Sequence, residues 1–175
     1  MNLSPEQKKR VETFIYDEWV DDKDDEKKSI SNLKKLLNEV QHPIEIDCML
    51  RGFNWDCGID GLDFILTHPM TDTATKLRAF WMAGPGYFCQ YEKERDISEY
   101  ELDEWEAIQL LQKHATSSIR QSGQLQFDPK KDEEGYDWTS QYSREESKMS
   151  ERGKKSFYTI PSELYNAVKS KNTHD

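Results

Sequence analysis

A chain of 175 residues with 35% hydrophobic and 33% charged side chains can build one core and still carry a solvated extension. Its 5 Trp, 8 Tyr and 7 Phe exclude global disorder, which is poor in aromatics. A formal net charge of −10 repels phosphate backbones, so the pattern speaks against nucleic acid and either favours a basic protein as partner or serves solubility alone.

Ser4-Pro5-Glu6-Gln7 predicts a capped helix start, and Val11, Phe14, Ile15 and Trp19 form its apolar stripe. An acidic run from Asp21 to Glu26 precedes a second stripe of Ile30, Leu33, Leu36, Leu37 and Val40, closed at His42-Pro43. Ile46, Met49 and Leu50 predict a short third helix ended by Gly52. Asp60 can cap a fourth through Leu62, Ile65 and Leu66, stopped at His68-Pro69. Thr71 or Asp72 caps a fifth with Leu77, Phe80 and Trp81 inward, stopped at Gly84-Pro85-Gly86.

Ser98-Glu99-Tyr100-Glu101 reads as a capping box opening the longest helix, with Leu102, Trp105, Ile108, Leu111 and Ile119 on one side. Residues 128–156 are charge-dense, with Tyr136, Trp138 and Tyr142 among the charges; they read as a polar arm, either a partner-contacting surface or a packed lid. Leu125-Gln126-Phe127 and Phe157-Tyr158-Thr159-Ile160 alternate weakly and are candidates to pair as short strands. Pro161-Ser162-Glu163 predicts a last helix with Leu164, Ala167 and Val168 inward. The expected fold is mostly α, a helical array or bundle of about six to seven helices in a single domain 1–175, with room for a short β-hairpin near the C-terminus. Within it fall an N-terminal helical pair (1–42), a helical core (43–127), the arm, and a C-terminal strand and helix (157–175).

Chemistry-bearing motifs are sparse. His42, His68, His114 and His174 are scattered, and Cys48, Cys57 and Cys89 form no paired-Cys motif, so neither metal nor cofactor is expected. Cys57, with His68 nearby in sequence, is the weak case for a hydrolase, which ranks last. The odd set of thiols, the polar start and the lack of a run of roughly 18 apolar residues give the expectation of a reduced, cytoplasmic protein that avoids membranes. Phe53-Asn54-Trp55-Asp56-Cys57-Gly58 is the distinctive element. Asn54 and Gly58 suit a tight structural turn, and Trp55 with Asp56 either anchors that corner or lines a recognition surface.

That turn, followed by His68-Pro69-Met70-Thr71-Asp72 and then Ala79-Phe80-Trp81-Met82-Ala83, resembles the bacterial domain-of-unknown-function family numbered forty-two seventy-four. A long helix, Leu125-Gln126-Phe127-Asp128-Pro129 and Ile160-Pro161 extend the resemblance over roughly residues 46–168. Thr71 departs from a frequent Cys, and Gly84-Pro85-Gly86 from an Ala-Asp-Gly. The resemblance implies an architecture rather than an activity. Small acidic domains of this sort look like immunity proteins that neutralise a toxin by binding it, by analogy; the alternative is a cytosolic adaptor or regulatory module. The partner-binding candidates are Trp55, Asp56, Tyr136, Asp137, Trp138 and Tyr142.

Overall fold

In the computed structural model, which describes residues 3–16, 20, 26–53, 61–121 and 123–171, Ser4 caps the first helix as its sequence demands. Its side chain accepts from the Gln7 amide while the Gln7 side chain returns to the Ser4 amide, and Pro5 supplies a first-turn φ at no hydrogen-bond cost. This helix, α1 (Pro5–Ile15), buries Val11 and Phe14. Helix α2 (Glu26–Asn38) adds Leu33 and Leu37, with Val40 just beyond it. Pro43 opens α3 (Pro43–Arg51), capped by the His42 ring, whose Nδ1 accepts from the Ile44 amide at 3.2 Å. Glu45, wholly buried, ties α3 to α1: it accepts from Arg10 Nε at 2.8 Å and from the Gln41 and His42 amides at 3.0 Å.

Gly61, at φ 82°, leads into α4 (Leu62–Thr67), while the expected cap Asp60 lies outside the described residues. Asp72 caps α5 (Thr73–Met82) through a 3.1 Å bond from the Ala74 amide. Helix α5 is buried on nearly every side, and its polar members Thr75 and Arg78 are buried with it. A helix wrapped all round belongs at the centre of the fold. Gly84, at φ 71°, turns the chain into a 3-10 helix at Pro85–Gln90. The Ser98–Glu101 box then opens one further 3-10 turn and α6 (Leu102–Ser118). Leu102, expected inward, is exposed, because the inward stripe of α6 begins a turn later at Trp105.

Residues 140–151 of the predicted arm form a seventh helix, α7 (Ser140–Glu151), packed against Pro85–Gln90 with Tyr142 and Met149 buried. The approach is close at Gly86, where a Cβ would fall 2.7 Å from the Tyr142 amide nitrogen. Gly86→Ala is expected to push α7 outward and lower stability by about 1–3 kcal/mol, the usual cost of overpacking. A urea midpoint equal to that of the parent would contradict the contact.

The described residues hold no sheet, and the expected hairpin is corrected. Phe127 pairs with Val168 in an isolated antiparallel bridge, with N–H···O distances of 2.9 and 2.8 Å, while the Phe157 amide donates to the Tyr91 carbonyl at 3.1 Å. The same bridge ends the expected last helix, since Val168 cannot give both backbone groups to Phe127 and stay helical. Only a 3-10 turn, Ser162–Tyr165, forms, and Ala167 is exposed. One hydrophobic cluster runs from Val11 to Val168 and includes residues of all seven helices or their flanks, Met149 of α7 lying buried beside it. Among the described residues no helix is long and apolar enough to cross a membrane.

Candidate functional site

The segment from Asp128 to Trp138 is shaped by one carboxylate. Asp132 Oδ1 accepts from the Glu134 and Tyr136 amides at 2.9 and 2.8 Å, and Oδ2 accepts from the Trp138 indole at 2.8 Å. Gly135 supplies the left-handed residue at φ 83° that lets the chain reverse, and the Asp132 and Trp138 amides close the loop onto Tyr136 and Pro129 carbonyls. Burial raises the Asp132 carboxyl pKa, but the Tyr136 amide, the Trp138 indole and the Glu134 amide outweigh it and hold the group below its ordinary value. The result is a self-supporting loop that displays Tyr136, 56% exposed, edge-on to a half-buried Trp138 at 4.6 Å. Asp137 lies beside them, exposed, and accepts from the Thr139 amide and hydroxyl at 2.9 and 2.7 Å to start α7.

Glu133 fastens this loop to the core. Its carboxylate receives a fork from Arg78, Nη2 to Oε1 at 2.6 Å and Nη1 to Oε2 at 2.9 Å, and a further bond from Arg51 at 3.2 Å. Behind it, buried Asp47 accepts from Arg51 at 2.8 Å, Thr75 at 3.0 Å and Arg78 at 3.2 Å, while the Arg78 guanidinium lies 4.4 Å over the Phe127 ring. Two acids and two guanidinium groups thus balance in charge and hydrogen bonds. Sequence reasoning missed Asp47, Arg51, Thr75, Arg78 and Glu133. The legible signals were Asp47 and Arg51 one helical turn apart, and Thr75 and Arg78 at turn spacing inside an apolar helix.

A second polar cluster sits at the start of α6. Glu101 accepts from Tyr91 at 2.9 Å, from the Ser98 amide at 3.0 Å, and from the Ser98 and Tyr87 hydroxyls. The Ser98 hydroxyl foremost, then Tyr87 and Tyr91, hold the carboxyl down at about 2. A depressed folded value means that the contribution to stability is present above the ordinary 4.5 and is lost as pH falls towards 2. The Glu101 side-chain carbon resonance should therefore titrate well below 4.5 and move up in Ser98→Ala; a parent midpoint at the ordinary value would refute the arrangement.

Helices α3 and α5 supply the buried Asp47 and Arg78 of the first cluster, and the turn before α6 supplies the Glu101 of the second. Residues 41–115 match the family described as "Domain of unknown function (DUF4274)". No curated protein and no solved structure matches the chain. The DUF4274 segment thus contains Asp47, Arg51, Arg78 and the Glu101 cluster, whereas Glu133, the aromatic loop and α7 follow it. The motifs at Leu125–Pro129 and Ile160–Pro161 also lie beyond it.

Asn54, Trp55, Asp56, Cys57 and Gly58 fall inside the DUF4274 segment but outside the described residues. Tyr136, Asp137 and Trp138 come together on the loop. Tyr142 does not join them: it is buried under α7, its ring 5.7 Å from that of Tyr165, so it supports the fold rather than a surface. No group of three or more His, Cys, Asp or Glu among the described residues is placed to hold a metal ion. Burial pushes the Cys89 thiol up to about 12, which leaves it protonated and unreactive at neutral pH.

Proposed function

We propose that the protein acts by stoichiometric binding of a basic protein, as an immunity protein neutralises a cognate toxin. The reading is supported above all by the 128–138 loop, which holds an exposed Tyr136 against Trp138 before any partner arrives. Pre-organised aromatics lose little freedom on binding, and large aromatics dominate the energy of protein interfaces. Exposed Glu134 and Asp137 border the pair, as an electrostatic match to a basic surface requires.

The test is co-expression with the product of the neighbouring reading frame, followed by titration of the purified pair. A one-to-one complex should form, its association should slow as salt rises, and the partner's toxicity should disappear. Tyr136→Ala should weaken binding by roughly tenfold or more, with the urea midpoint unchanged, because the ring makes few contacts within the fold. Full affinity in Tyr136→Ala would remove the loop from the interface. A complex that leaves the partner's activity intact would favour an adaptor or regulatory module over an immunity protein.

A further inference from the structure

The start of α6 carries a concentration of charge that the 128–138 loop does not account for. Between Glu92 and Glu106 stand eight carboxylates against Lys93 and Arg95, a net of −6 within a chain whose total is −10. Every one of these carboxylates is exposed except that of Glu101, which Tyr87, Tyr91 and Ser98 occupy. Amid them Tyr100 is 94% exposed. An aromatic ring bare to that degree contributes nothing to folding, and its neighbours on the chain give it no apolar cover.

Tyr100, in the 3-10 turn that opens α6, precedes Glu104 by four residues, the spacing of neighbours on a helix surface. Glu104 and Ala107 also line a cleft of about 270 Å³ with Tyr87, Phe88, Met82 and Gln141. Its walls mix the apolar side chains of Met82, Phe88 and Ala107 with the polar groups of Tyr87, Gln141 and Glu104, the last its one carboxylate. The Tyr87 ring is held in place because its hydroxyl donates to Glu101, so this wall is formed in advance.

We infer that this cleft is a docking site for an arginine-bearing segment of a basic protein. A guanidinium pairs with Glu104 and stacks on the Tyr100 face, while an adjoining apolar side chain enters between Tyr87 and Ala107. Arginine suits the site better than lysine, since its planar group meets a carboxylate and an aromatic ring together. The surrounding negative charge draws such a segment in and repels nucleic acid. The assignment rests on the binding reading above, but it concerns a surface separate from the Tyr136 loop and can fail without it.

The full-length protein, labelled with nitrogen-15, would be titrated with a short synthetic peptide of arginines and leucines. Matched arginine–serine and glutamate–leucine peptides serve as controls. Shifts should concentrate at residues 84–88 and 100–107. Tyr100→Ala and Glu104→Gln should each weaken binding about tenfold, whereas Glu151→Gln, which removes an exposed charge elsewhere, should leave it unchanged. The arginine–serine peptide should bind more weakly because it leaves the cleft empty. The inference is overturned if no peptide binds, if Glu151→Gln weakens binding as much as Glu104→Gln, or if the shifts fall elsewhere. Shifts confined to the Tyr136 loop would overturn this site and leave the binding reading standing.

Discussion

Replacing Arg78 with Met lowers the unfolding free energy by about 3–5 kcal/mol, the range found when one partner of a buried ion pair is removed. Arg78 is 4% exposed and reaches three structures at once: Asp47 on α3, Glu133 on the loop, and the Phe127 ring. Methionine fills much of the stem's volume, so packing alone predicts a small loss. The large effect comes from Asp47, which stays buried with Arg51 and Thr75 as its remaining partners. Replacing Asp47 with Leu in the same chain should recover part of the loss, because the buried carboxylate that has lost one of its two guanidinium partners is then gone. A single-variant loss under about 1 kcal/mol would show that Arg78 is no clasp.

The same clasp is sensitive to acid. Burial raises the Glu133 carboxyl pKa, yet its hydrogen bonds to Arg78 and the nearby charges of Arg78 and Arg51 bring it below the ordinary 4.5. Its contribution is thus present above that value and fades as pH falls through the lowered one. In Arg78→Met that part of the acid dependence should shrink to what Arg51 and the backbone amide still supply.

Trp81→Ala is expected to cost about 3–5 kcal/mol, the usual result of truncating a buried tryptophan. The ring is 2% exposed and meets Phe80 and Tyr165 edge-on at 5.4 and 5.1 Å. Its indole nitrogen donates to the Leu164 carbonyl at 2.9 Å, which ties α5 to the C-terminal segment. Trp81→Phe separates the two contributions. It keeps most of the apolar contact but deprives the Leu164 carbonyl of that donor, at about 1–3 kcal/mol. Hydrogen exchange in Trp81→Phe should rise first at residues 157–168. Uniform acceleration across all helices would mean that the indole bond does not hold this segment.

What the sequence made legible was local. The Ser4 and Ser98 capping boxes, the Asp72 cap and the breaks at Gly52 and Gly84 depend on neighbours a few residues apart, and each stands where the pattern placed it. The stripes through Leu33, Ile46, Leu77 and Ile108 gave the core for the same reason. Phe127 and Val168, or Arg78 and Glu133, are distant in sequence and carry no shared period, so their pairing was invisible. Helix α7 was hidden differently. Only Tyr142 and Met149, two turns apart, face inward from an otherwise polar helix, and so sparse a stripe looks like a solvated arm. Of the proposed contact residues, Tyr136, Asp137 and Trp138 stood out as aromatic and acidic side chains in a charge-rich stretch, whereas the burial of Tyr142 required the seam at Gly86.

That seam also sets an order in time. Backbone meets backbone at Gly86 and Tyr142 with no side chain between them, so α7 has nothing to settle on until Pro85–Gln90 has formed. The contact closes a long stretch of chain, which is entropically slow to bring together and is rewarded late. Helix α7 is then expected to dock after Pro85–Gln90 and to lift before it. A weakened seam would leave the refolding rate nearly as it was and would show itself as faster unfolding.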